Sequence, residues 1–247
     1  MKKFLTTIFL ISSLIIPEMS LATTTTFYPA AGANSPVDGY IQRTDNPSNW
    51  ATTHDAASGS ATDPTSANFW AYNYLNKYGG YSSIGRGIAL FDTSALTSSA
   101  VISAVTFSCY DDIASGGVID NSHDGYDYVA IVSSTPAANN NLVIGDYSQL
   151  GTTAFVTTTL NGMGTNQYHD FALNASGIAS VNKTGISKFG MRLGHDLENV
   201  AIGSGVEDDF LCFSADNASG TAKSPKLTIT YTTSTASKAK RKPIIIQ

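Results

Sequence analysis

Between residues 101 and 110 the chain alternates. Val105, Phe107 and Cys109 fall on one side of an extended segment, and Thr106, Ser108 and Tyr110 on the other. A period of two marks a strand with one buried face. Runs of the same kind recur at residues 86–91, 128–133, 168–173, 188–193, 209–214 and 226–232, each bounded by turn-forming residues. In the last of these, Leu227, Ile229 and Tyr231 alternate with Thr228, Thr230 and Thr232. No stretch beyond residue 22 sustains a helical period, and a single helical turn is expected at 176–182, from the spacing of Ile178, Ala179 and Val181. Residues 32–66, 113–125 and 194–207 read as loops. Many short strands between polar turns predict an all-β fold: one antiparallel β-sandwich domain of jelly-roll type over residues 23–233.

The two ends differ from this body. Lys2 and Lys3 precede an apolar run over residues 4–16, Pro17 ends it, and Ser20-Leu21-Ala22 supplies small residues at a cleavage position. Residues 1–22 therefore read as a secretory signal peptide, too short an apolar run to span a bilayer. This predicts a secreted protein, extracellular or at the cell surface, with no transmembrane segment in the mature chain. Residues 234–247 turn small and polar, then basic, then Pro243-Ile244-Ile245-Ile246, and read as a flexible basic tail.

Composition supports strands over helices, since charged residues make up only 13% of the chain while glycines number 21. Residues 23–233 hold 8 Lys and Arg against 18 Asp and Glu, a net charge of −10. Such a body repels phosphate backbones, so nucleic acid is not an expected partner. In an oxidising compartment Cys109 and Cys212 are free to pair as a disulfide if their strands are neighbours. Two buried free thiols remain the equal alternative, because cysteine packs well as a small hydrophobe.

Several segments carry a family likeness. Arg86-Gly-Ile-Ala-Leu-Phe-Asp-Thr-Ser-Ala-Leu96 is followed by Ala100-Val-Ile-Ser-Ala-Val-Thr-Phe-Ser-Cys-Tyr110. Tyr168-His-Asp-Phe-Ala-Leu-Asn174 and Pro225-Lys-Leu-Thr-Ile-Thr-Tyr231 come later in the chain. Together they resemble secreted DNRLRE-type jelly-roll domains, which are similar to carbohydrate-binding modules. The hexapeptide that names that family is absent. The resemblance implies a jelly roll, a carbohydrate ligand and a structural calcium ion.

The residues themselves offer three candidate chemistries. Residues 68–81 concentrate aromatics, and in an extended segment Trp70, Tyr72 and Tyr74 share a face. With Tyr78 and Tyr81 they form the expected ligand-binding set, because flat rings with a polar handle suit stacking on sugars. Asp120, Asp124 and Asp127 lie in an Asx-rich loop that offers carboxylates to calcium, although the spacing is not that of an EF-hand. Asp111-Asp112 and Glu207-Asp208-Asp209 are alternative oxygen donors. All four histidines precede an aspartate, at 54, 123, 169 and 195, but adjacent residues on a strand face opposite ways. Arg86 and Asp92, at the two ends of one predicted strand, read as loop anchors and not as a site.

The sequence contains no Gly-x-Ser-x-Gly elbow, no His-Glu-x-x-His and no phosphate-binding glycine loop. The leading expectation is a non-catalytic binding module for a polysaccharide or cell-surface glycan. The alternative is a structural subunit of an extracellular layer, fibre or matrix, whose partners are copies of itself. A carbohydrate-active enzyme ranks third.

Overall fold

The computed structural model describes residues 21–112 and 116–233. The expected leader, apart from its last two residues, and the expected tail lie outside them. The described chain forms an antiparallel β-sandwich. Its smaller sheet runs in the order β1 (Thr23–Phe27), β13 (Lys226–Thr233), β6 (Ala100–Tyr110) and β10 (Tyr168–Ala172). The larger runs β7 (Val118–Asp120), β12 (Glu207–Phe213), β4 (Asn68–Leu75), β5 (Ser82–Asp92), β11 (Ile186–Leu193), β8 (Tyr128–Ser133) and β9 (Val156–Thr159). Two further strands, β2 (Asp38–Asp45) and β3 (Ala61–Asp63), join the larger sheet through β5. Short helices α1 (Trp50–His54), α2 (Ala175–Ala179) and α3 (Gly194–Leu197) sit in the connections. No helix of the described residues is long and apolar enough to cross a membrane.

The inter-sheet core is aromatic. Phe107 and Phe171 of the small sheet meet Phe91, Phe189 and Phe210 of the large one, with ring centroids 5.8–6.3 Å apart. Each buried ring contributes on the order of 1.5–3 kcal/mol of burial. A second core lies on the other face of the large sheet. There Ile84, Ile88, Leu90, Ala130 and Val132 are covered by Val37, Trp50, Leu142, Tyr147 and Leu150. Strand β8, Tyr-Val-Ala-Ile-Val-Ser, is buried on both faces, with Val129 and Ile131 in one core and Ala130 and Val132 in the other. Its unbroken apolar run follows from that double burial.

The covering layer corrects the loop reading of residues 32–66. They contain β2, α1 and β3, and β2 pairs with β5 from Asp38↔Ala89 to Asp45↔Ser82. Among the eight residues of β2 only Tyr40 and Ile41 are large and apolar, so no alternation announces it. Residues 118–120 and 194–197, also read as loop, form β7 and α3.

Strand β5 is shared on one edge. β4 pairs with its first four residues and β11 with the stretch from Gly87 onward. Glycines stand where the two neighbours part. A Cβ on Gly85 would lie 2.8 Å from the Trp70 ring, and one on Gly87 would lie 2.9 Å from Phe69. Without side chains there, β4 lays its rings against β5 at van der Waals distance.

Candidate functional site

Burial alternates along β4. Phe69, Ala71 and Asn73 are buried, while Trp70, Tyr72 and Tyr74 are half-buried on the other side. The strand thus places the expected aromatics on one face. Trp70 and Tyr72 line a shallow depression of about 220 Å³ with Gln42, Asp209 and Leu211. The register explains the membership: across β4 and β12, Tyr72 stands opposite Asp209 and Trp70 opposite Leu211. Gln42 reaches the same place from β2, because both it and Tyr72 pair with Gly85. A Cβ on Gly85 would press on the Trp70 ring and on Tyr72 Cβ.

The rings are braced. Tyr40 stacks on Trp70 with centroids 3.5 Å apart and planes 26° apart. Tyr72 stacks with Tyr74 at 6.4 Å, and Tyr74 meets Tyr81 at 5.3 Å. Tyr74 and Tyr81 therefore extend the aromatic strip beyond the depression. Tyr78 stands apart, in the turn after β4, and is 89% exposed.

Asp209 is the carboxyl group of the depression, 7% exposed, with a buried Oδ1 that no donor among the described residues reaches. Burial first, then the neighbouring Glu207, push its carboxyl well above the usual carboxylate range. Burial also raises the Tyr72 hydroxyl, followed by the nearby Glu207, so this group remains a protonated donor. A buried oxygen without a partner costs free energy unless a ligand or water satisfies it. Gln42 and Tyr40 had no signal in the sequence, and Asp209 appeared there only as one of several oxygen donors.

The expected metal residues separate. Asp120 and Asp127 come together with His123, their donor atoms all within 4.8 Å of one another. Asp124 does not join them: its Oδ1 accepts from the Tyr126 amide at 3.1 Å and lies 3.3 Å from His195 Nε2. Asp127 Oδ1 already accepts from the Gly125 amide at 2.9 Å. Calcium takes about six to eight oxygen ligands. Two carboxylates and an imidazole do not fit that requirement.

The four His-Asp pairs also separate, apart from His54, whose Nδ1 is 2.6 Å from Asp55 Oδ1. The other three meet partners elsewhere: His123 Nδ1 is 3.4 Å from Asp120, His169 Nε2 is 3.4 Å from Asp111, and His195 faces Asp124. One aspartate of the set, Asp196, is taken by two arginines. Arg86 and Arg192 both bond its carboxylate beneath the covering layer.

No family model and no curated protein matches the chain. The site therefore stands on its own geometry.

Cys109 and Cys212 do come together. Both are free thiols in the inter-sheet core, with Sγ atoms 2.8 Å apart.

Proposed function

We propose that this protein is a secreted, non-catalytic binding domain for a polysaccharide or cell-surface glycan. The ligand lies across the depression formed by Trp70, Tyr72 and Asp209. The observation that carries this reading is the pair of half-exposed rings, Trp70 and Tyr72, lining one depression together with the polar side chains of Gln42 and Asp209. A sugar ring matches that lining, since its C–H face stacks on an aromatic while its edge hydroxyls meet polar side chains. The depression is smaller and more open than the enclosed sites that hold drug-sized ligands. Its continuation over Tyr74 and Tyr81 suits an extended chain. The likeness to DNRLRE-type domains points the same way.

The test is affinity electrophoresis of the protein through gels containing a panel of polysaccharides. Retardation on at least one gel is expected, and it is lost in Trp70→Ala and weakened in Asp209→Asn. Unretarded migration on every gel, or retardation that both variants retain, overturns the reading.

A second reading, a structural subunit that assembles with its own copies, has one observation in its favour. Among the described residues β1 is an edge strand of the small sheet, paired only with β13, and its Thr24 and Thr26 hydroxyls pair with Thr230 and Thr228. An open strand edge is a template for another strand. Sedimentation over a range of concentrations distinguishes the two, because assembly requires large particles that disappear when Thr23–Phe27 is altered.

A further inference from the structure

The sandwich consists of two sheets held by packing, and at one point a sulfur from each meets the other. Cys109 belongs to β6 of the small sheet and Cys212 to β12 of the large one. Neither is exposed, and their Sγ atoms lie 2.8 Å apart. That separation leaves no room for another atom between the two sulfurs. His169 stands opposite Cys109 on β10, and Asp111 forms a bridge with Cys212.

We propose that Cys109 and Cys212 form a disulfide that joins the two sheets, made while the chain folds and sealed once it has folded. This inference is independent of the glycan reading.

The chemistry balances with an external disulfide as oxidant, either a small molecule or a protein. One cysteine thiolate attacks a sulfur of the oxidant, forming a mixed disulfide and releasing one thiol. The second cysteine then attacks the chain's own sulfur, the Sγ–Sγ bond forms, and the second oxidant thiol leaves. Two protons and two electrons pass from the cysteines to the oxidant.

The sealing follows from access and from charge. Thiol exchange needs a thiolate that the partner can reach. In the folded chain burial, the adjoining Cys109 thiol, and Asp111 and Asp209 push the Cys212 thiol well above its usual range. Neither sulfur is reachable from solvent. Exchange in either direction is therefore confined to opened states of the chain. The link spans 103 positions, and long closed loops restrict the unfolded chain most.

The test uses the full chain refolded with oxidised and reduced glutathione, then unfolded and alkylated with iodoacetamide for mass measurement. The expected product is a monomer that takes no alkyl group and is two hydrogens lighter than the reduced chain. Dithiothreitol is expected to leave it unchanged under native conditions and to reduce it readily in guanidinium. The reduced form is expected to melt about 5–15 °C lower. Two alkylated cysteines in the refolded monomer, or a bond found only between chains, overturns the disulfide. Rapid reduction without denaturant overturns the sealing.

Discussion

Arg86 and Asp196, separated by 110 positions, meet through two bonds of one buried fork: Nη2 to Oδ1 at 2.6 Å and Nε to Oδ2 at 3.0 Å. Arg192 bonds the same carboxylate from β11, Nε to Oδ2 at 2.6 Å. The other guanidinium donors reach the carbonyls of Tyr147, His54 and Gly151, and Arg86 also lies over the Tyr147 ring at 3.9 Å. One carboxylate thereby ties β5, β11, α1 and the turn around Tyr147 into a single unit under the covering layer.

Burial by itself would raise the pKa of Asp196, but Arg86 and Arg192 override it and hold the carboxyl well below the usual carboxylate range. A lowered folded-state pKa means that its contribution to stability is present above the unfolded value of about 3.9 and is lost as the pH falls below it. Asp196→Asn leaves two buried arginines without a counter-charge. We expect it to cost on the order of 3–5 kcal/mol, measured by urea unfolding at pH 7, and to lessen the loss of stability in acid. A cost within about 0.5 kcal/mol of zero would show that the arginines find other partners.

Asp38 predicts the opposite pH dependence. Its Oδ2 accepts from the Ala215 amide at 2.9 Å, and its Oδ1 has no donor among the described residues. Burial raises its pKa to about 8, outweighing that hydrogen bond, and nearby Asp216 adds to the rise. A raised folded-state pKa gives a contribution that is complete below the unfolded value of about 3.9 and is lost as the pH rises to about 8. Asp38→Asn keeps an acceptor for Ala215 and removes the titration. Its melting temperature is expected to exceed that of the parent by several degrees at pH 8 and to match it near pH 4. Parallel melting curves across that interval would contradict the assignment.

Gly85 offers a test of the depression that removes no ligand-contacting side chain. A Cβ there would lie 2.8 Å from Trp70 Cδ1 and Nε1 and 3.1 Å from Tyr72 Cβ. Gly85→Ala is expected to displace the Trp70 ring at a cost of about 1–3 kcal/mol in stability. Glycan affinity is expected to fall at least fivefold, read by titration calorimetry of the folded variant. Unchanged affinity would place the ligand elsewhere on the molecule.

Metal dependence is the simplest measurement. The group formed by Asp120, His123 and Asp127 offers too few oxygens for calcium, so millimolar calcium or EDTA is expected to shift the melting temperature by less than about 1 °C. A rise of several degrees with calcium would mean that further oxygens complete a site in that loop.

The alternating strands were determined by the sequence. Residues 101–110 and 226–232 carry their own period, and the structure places β6 and β13 there. The shared face of Trp70, Tyr72 and Tyr74 follows from the same rule, because alternation is a property of the backbone and needs no partner. The second core had no such signal. Strand β2 displays little apolar pattern, and its pairing with β5 emerges only when Val37, Trp50 and Tyr147 cover that side. The partnerships that join distant positions were likewise decided by the tertiary structure. Asp209 reaches Tyr72, Cys109 reaches Cys212, and Asp196 leaves its neighbour His195 to take Arg86. Each depends on which strands lie side by side and in what register. Periodicity states that a strand has two faces, but only the assembled sheets determine what each face meets.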